Sequence, residues 1–339
     1  MRELSLIAVD LAKNVFQVCG MTADHRVIFN KQLRRQELAA FMTQQPTVEV
    51  AMEACYSSHY WGRCFQAMGH RVKLIPAQHV TPFVRGNKSD HNDAVAIAEA
   101  ASRPRLQPVP LKSVEQQDIQ CLHRMRERYL AQRTMLSNQT RGLLSEFGIV
   151  APQGHRSFVI LLQQCADADC TQLSALLKSE LRHIADEYSA LNLRIKGLTD
   201  TLTKLAASNP LCQLLLTIPG IGVINATALV SAIGNGSQFT NGRELAVWLG
   251  LTPRQSSSGE RFHSGGITKR GNRYLRKQLV HGARALLFSC RRKTDPLSHW
   301  INQLAARRGV NKACVAVAAR LARLSWVLLN RQTPYRAAT

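Results

Sequence analysis

Acidic side chains all but disappear from the last quarter of this chain. Between Leu251 and Thr339 only Glu260 and Asp295 oppose 18 Lys and Arg, a local net charge of +16. The first 250 residues carry 26 basic and 20 acidic side chains, an ordinary globular surface. A generally basic coat would not shed its acids at one point in the sequence, so the segment after Leu251 reads as a footprint for a polyanion. Also missing are a run of about 18 uninterrupted apolar residues and a signal peptide. Their absence argues against a membrane and leaves nucleic acid as the expected partner. The cysteines (Cys19, Cys55, Cys64, Cys121, Cys165, Cys170, Cys212, Cys290 and Cys314) are odd in number and form no CxxC pair. That excludes a disulfide framework and a Cys-type zinc site, and fits free thiols in a reducing cytoplasm. Finally, no charge at all lies between Cys212 and Asn241, just before the basic segment begins.

What is present is a core-forming chain of 339 residues, 45% hydrophobic, with a net charge of +22. That is length for two or three domains of roughly 100–200 residues. Leu4–Asp10, Asn14–Met21 and Arg26–Phe29 are β-rich and separated by turn-length joints, which predicts an antiparallel meander. A helix over Gln36–Gln44, a strand over Thr47–Met52, a helix over Tyr60–Met68, a strand over Arg71–Ile75 and an Ala-rich helix over Asp90–Ala101 follow. Three antiparallel strands and then strands alternating with helices make an α/β domain with a mixed sheet, assigned to residues 1–107.

Past Pro104, Pro108 and Pro110 the pattern becomes helical. Over Val114–Phe147, Leu122, Tyr129, Leu136 and Leu143 recur every seven residues. A cleaner seam runs through Leu181, Ile184, Tyr188, Leu191, Ile195, Leu198, Leu202 and Leu205 in alternating steps of three and four, the pattern of a coiled coil. The two blocks, together 108–208, could pair as a hairpin or with another subunit, and the first fits a helical bundle equally well. Residues Ala151–Thr171 carry no clear pattern. The last region, 209–339, reads as helices (Leu211–Thr217, Val223–Ser231, Gly242–Leu249, Arg273–Phe288, Ala313–Asn330) joined by loops.

Four acids stand where a metal site would need them. Asp10 ends the first strand and Glu53 ends the fourth, and these strands should be neighbours at the sheet centre. Asp90 and Asp93, three apart at a helix start, leave on one face. Clustered carboxylates repel one another, and a hard divalent ion such as Mg²⁺ or Mn²⁺ relieves the repulsion. Two such ions could serve phosphodiester cleavage. Taken singly, a strand-end Asp is often a turn residue, and Asp90 could cap its helix. Together, in this order on this fold pattern, they read as a ribonuclease-H-like nuclease site.

These residues, in "AVDLAKN", "AMEACYSSHYW" and "RGNKSDHNDAVAIAEAASRP", resemble the DEDD motif of insertion-sequence transposases of the one-ten family. The resemblance places its four letters on Asp10, Glu53, Asp90 and Asp93, and implies a first domain similar to the Holliday-junction resolvase RuvC.

Pro219-Gly220-Ile221-Gly222, between two apolar helices, has the form of a helix-hairpin-helix. Packing alone, or a phosphate held on the following helix start, would each explain it. Beyond it, Ser256, Ser257 and Ser258 precede Gly259, with Arg254, Arg261, His263, Lys269, Arg270, Arg273 and Arg276 close by. By composition, Ser-Ser-Ser-Gly is a flexible turn and the cations are phosphate contacts. A serine nucleophile beside cations that steady a pentacovalent phosphate is the sharper alternative. In the one-ten family "GLTPR" is followed by a catalytic serine before a glycine and then a basic Gly-rich segment, and this register falls on Ser258.

The resemblance thus implies a DNA recombinase: a RuvC-like site using Mg²⁺ or Mn²⁺, a phosphoserine intermediate on Ser258, and a structured bridge RNA that pairs with donor and target DNA. It further implies a homodimer or homotetramer working in the bacterial cytoplasm, at the nucleoid. Two other readings are a structure-specific, metal-dependent endonuclease acting on junctions, and a DNA-binding protein without activity.

Overall fold

The structure, a computed structural model, describes residues 3–87, 89–104, 106–166, 170–259 and 261–336. Lys88, within the quoted DEDD segment, and Glu260, one of the two acids of the basic tail, lie outside them. The chain divides into two compact units, Met1–Val114 and Glu115–Thr339.

In the first unit, β1 (Leu4–Asp10), β2 (Val15–Thr22) and β3 (Val27–Arg34) form the meander. Then come α1 (Arg35–Thr43), β4 (Glu49–Glu53), α2 (Ser58–Ala67), β5 (Arg71–Ile75), a single turn α3 (Ala77–Val80) and α4 (Asp90–Ala101). The sheet order is β3-β2-β1-β4-β5, with β1–β4 and β4–β5 parallel and the rest antiparallel. This is the mixed, ribonuclease-H-like sheet that the sequence predicts. The run LSLIAVD is almost wholly apolar because β1 is covered on both faces, as central strands are. Leu6 and Ala8 pack with Ala94 and Ala98 of α4. Ile7 and Val9 pack with Leu38 and Met42 of α1 and with Trp61 and Phe65 of α2. β3 runs five residues beyond the predicted Phe29. It is the edge strand, and its polar Asn30, Lys31 and Gln32 hide the alternation while protecting the open edge.

The second unit contains α5 (Val114–Ser145, its first residue in the first unit), α6 (His155–Ala166), α7 (Ala175–Ser208), α8 (Pro210–Leu216), α9 (Val223–Ile233) and α10 (Gly242–Trp248). A ribbon of β6 (Pro253–Ser258) and β7 (Arg261–Ile267) follows, then α11 (Arg273–Ser289), α12 (Pro296–Arg308) and α13 (Val310–Arg331). The α7 seam is the buried stripe, with Leu181, Tyr188, Leu191, Ile195 and Leu202 inside. Its cover comes from the same chain. Leu181 and Tyr188 pack with Leu144 of α5 and with Phe158, Leu161 and Leu162 of α6. Arg126 and Arg133 of α5 donate to Thr199 and Asn192 of α7, which sets the two helices antiparallel.

The α5 series needs correction by one residue. Its buried positions are Ile119, His123, Ser137, Thr140 and Leu144, whereas Leu143 is 53% exposed. The seven-residue spacing itself survives, from His123 through Ser137 to Leu144, but three of the five buried members are polar and leave no mark in an apolar pattern. The polar members tolerate burial because each is hydrogen-bonded. His123 pairs with Tyr274 and Thr227, and the Ser137 and Thr140 hydroxyls donate to carbonyls of their own helix.

Helix α13 is long and apolar enough, by composition, to cross a membrane. Here Cys314, Val317, Leu321 and Leu328 are buried in the core formed by α8–α13. The β6–β7 ribbon is a second departure, since the sequence reads as a loop there. Every residue of the ribbon described except Ile267 is exposed, so no apolar alternation announces it. Helices α6 and α12 likewise go beyond what the sequence pattern predicts.

Candidate active site

The parallel register that sets Val9 beside Met52 carries Asp10 and Glu53 to the same edge of the sheet, at the C-terminal ends of adjacent strands. Helix α4 lies across β1 and β2. Its buried face of Ala94, Ala96, Ala98, Ala100 and Ala101 is small enough for a close approach. The Asn30 amide donates to the His91 carbonyl and ties the helix start to the meander. Ser89, not Asp90, is the cap: its Oγ accepts from the Asn92 amide. The capping role for Asp90 is therefore filled by its neighbour, and Asp90 and Asp93 occupy the first turn together.

Asp10 feels the other three acids. Asp10 is pushed up from 3.8 to about 6, first by burial, then by the charges of Asp93, Asp90 and Glu53, against one lowering hydrogen bond from Leu11. Beside them the Cys55 thiol, which sequence reasoning did not single out, is raised to about 11 by burial and by Glu53 and Asp10, so it stays protonated. Among the described residues no three Asp, Glu, His or Cys side chains stand close enough to ligate one ion as they are. The donors are all oxygen and their charge is unbalanced, which suits a hard divalent cation.

In the second unit the serines lie on the ribbon. Ser256 faces His263, Ser257 faces Phe262 and Ser258 faces Arg261 across the antiparallel pair. Alternation puts Ser256, Ser258, Arg261 and His263 on one face and Ser257 with Phe262 on the other. Ser258 is the last strand residue before the turn at Gly259, which has a φ of 57°. Arg254, Ser256, His263 and Arg270 line an open groove at the ribbon's base.

The segment Lys269–Gly271 is locked against the α10 end. The Lys269 amide donates to the Gly250 carbonyl. A Cβ on Gly271, whose φ is 71°, would lie 1.8 Å from the Trp248 carbonyl oxygen. Lys269, Arg270 and Arg273 are exposed. Arg276, expected among the nucleic-acid contacts, is turned inward: its Nη1 donates to the Leu249 and Arg270 carbonyls at 2.9 and 2.8 Å.

The Pro219–Gly222 hairpin has a packing explanation. A Cβ on Gly282 of α11 would lie 2.2 Å from the Gly220 carbonyl oxygen, so the two backbones touch.

Comparison with known proteins agrees with both halves of this picture. A DEDD transposase model of the IS110 type matches residues 7–149, and the model described as "Transposase IS116/IS110/IS902 family" matches residues 212–298. A Pseudomonas aeruginosa protein named "Probable family 20 transposase" is 45% identical, covering 98% of this chain and 99% of its own. The transposase for insertion sequence element IS1111A of Coxiella burnetii is 40% identical over 99% of this chain and 92% of its own. A pilin gene-inverting protein of Moraxella bovis is 23% identical over 97% of both. With both domain models matched in order and relatives aligned over nearly the whole length, the chain belongs to the IS110 family of insertion-sequence transposases, DNA strand-transfer enzymes with an N-terminal DEDD domain and a second transposase domain.

Proposed function

We propose that this transposase cuts and rejoins DNA through a phosphoserine intermediate on Ser258, with the DEDD carboxylates as the metal site of its phosphodiester chemistry. The observation that carries the reading is the exposed hydroxyl of Ser258 on a basic ribbon, with Arg261 as its register partner. Oγ attacks the phosphorus and gives its proton to water, and the P–O bond to one deoxyribose breaks as the sugar oxygen takes a proton from water. A sugar hydroxyl from another strand then attacks the phosphoserine, losing its proton to water, and the Ser258 oxygen leaves and is reprotonated by water. Energy of the broken ester is kept in the new one, so no nucleotide cofactor is needed. Arg261 and Arg254 lie on the ribbon to steady the charge that builds on the phosphate.

Asp10, Glu53, Asp90 and Asp93 would hold Mg²⁺ or Mn²⁺, which supplies charge neutralisation at the phosphate and activates an oxygen nucleophile. Arg254, Arg261, Lys269, Arg270 and Arg273 contact the backbone of donor and target DNA. Arg276 acts indirectly, by holding the Lys269–Gly271 segment. A bridge RNA from the element, a homodimer or homotetramer that brings several sites to one exchange, and work in the bacterial cytoplasm complete the proposal.

The test is covalent trapping. With end-labelled DNA and Mg²⁺ the wild type should give a labelled protein band in denaturing gels. Ser258→Ala should lose both band and recombination while still binding DNA. Ser257→Ala, on the opposite face, should keep both, and Ser256→Ala should keep the adduct. An adduct on Ser256, which shares the face, would move the nucleophile by two residues. DNA cut with no adduct at all would make this a hydrolytic endonuclease.

A further inference from the structure

The loop that follows Glu53 ends in a side chain the mechanism does not use. Tyr56, three residues after the carboxylate, is 81% exposed, yet it stands on a rigid turn. The Ala54 amide donates to the Ile75 carbonyl, the Ser58 amide and Oγ both donate to the Cys55 carbonyl, and the Trp61 amide donates to the Ser57 carbonyl. Ser57 holds a left-handed φ of 64° with its Oγ buried and unpartnered, a local cost that the surrounding structure sustains. Buried Trp61 and Phe65 then pin α2 to the sheet. A fixed turn that displays an aromatic ring is a presented side chain and not a loose one. Its neighbours Cys55, Ser57, Ser58 and His59 are small or polar, and the next exposed large side chain along the chain, Tyr60, is a second aromatic ring.

The matching position on the adjacent strand is a cation. Lys13 is exposed three residues after Asp10, in the loop leaving the same sheet edge. Carboxylates in the middle, an ammonium on one loop and an aromatic face on the next form the pattern that tracks a nucleic-acid strand: cation to phosphate, ring to base. We propose that Tyr56 stacks on an unpaired nucleobase beside the phosphodiester held at the carboxylate edge, and so positions the strand for cutting. The inference rests on the carboxylates being the cutting site.

A single-stranded DNA oligonucleotide carrying one 2-aminopurine tests it on the full chain. Wild type and Tyr56→Phe should quench the fluorescent base, whereas Tyr56→Leu should lose the quenching and bind on the order of tenfold more weakly. In a transposition assay Tyr56→Phe should approach the wild-type frequency and Tyr56→Leu should fall about tenfold or more. Absence of quenching by the wild type, quenching by Tyr56→Leu, or full transposition by Tyr56→Leu overturns the stacking role. The underlying site assignment fails by a different result, transposition by Asp10→Asn, whatever the Tyr56 variants do. Because Tyr56 is exposed, loss of the fold does not confuse the outcome, and the Phe variant separates ring from hydroxyl.

Discussion

Asp10 carries the sharpest electrostatic signature among the four acids. Its native value near 6 lies above the 3.8 of an unperturbed aspartate, so the folded state holds the proton more tightly than the unfolded chain. The associated stabilisation is fully present below about pH 4 and is lost as pH rises through about 6. Metal-free wild type should therefore lose thermal stability across that interval. Asp10→Asn, which removes both the charge and the repulsion, should abolish transposition yet melt roughly 2 °C higher than wild type at pH 7.5 without metal. The gap should close toward pH 4. Partial exposure of the carboxyl keeps this gain small. Differential scanning calorimetry in chelator at pH 4, 6 and 7.5 checks it, and a variant that melts lower at pH 7.5 would mean the acids do not repel. Divalent ions compete with that proton, so Mg²⁺ should raise the melting temperature of the wild type at pH 7.5 and have little effect at pH 5.

Among the elements, α7 separates two uses of one apolar seam. Leu191 is 8% exposed and its helix is partnered by α5 and α6 of the same chain. Leu191→Asp should therefore cost about 3 kcal/mol in stability, the penalty for a poorly solvated polar group. Sedimentation of the fraction that remains folded should be unchanged. A smaller, fully stable particle would instead show the seam to be a subunit interface. This element was legible in the sequence because apolar side chains alone bury along it. The α5 stripe was displaced by one residue because its buried members include His123, Ser137 and Thr140, which apolar spacing cannot register. The sheet and its order were legible for a related reason: strands covered on both faces write long apolar runs, and Asp10 and Glu53 end them. The ribbon was illegible because it buries nothing. Its form depends on backbone pairing and on Gly250 and Gly271 being able to lie against the chain, while its composition of serines, arginines and glycines is also that of a loop. The inward turn of Arg276 was hidden too, since a guanidinium that holds carbonyls and one that holds phosphates have the same letter.

Over the whole molecule, charge asymmetry decides how the transposase meets DNA. A net +16 concentrated after Leu251 implies that binding is driven by release of counterions, with log affinity falling linearly against log salt. The cations around the ribbon are of two kinds in their consequences. Lys269, Arg270 and Arg273 point outward, so replacing all three with Ala should lower the magnitude of the salt slope by about 2–3, close to 0.9 for each phosphate no longer neutralised. Affinity should fall, the melting temperature should stay near that of the wild type, and discrimination between DNA sequences should change little, because backbone contacts position without reading bases. Arg276→Ala should behave in the opposite way. It frees the Leu249 and Arg270 carbonyls that one guanidinium now bridges, so the protein should melt lower by a few degrees while the salt slope changes by less than about one unit. Fluorescence anisotropy with a fixed duplex from 50 to 300 mM KCl, beside thermal melts of the same preparations, separates the two. An unchanged slope in the triple variant would place the DNA on another basic face, leaving Ser258 without a phosphate to attack.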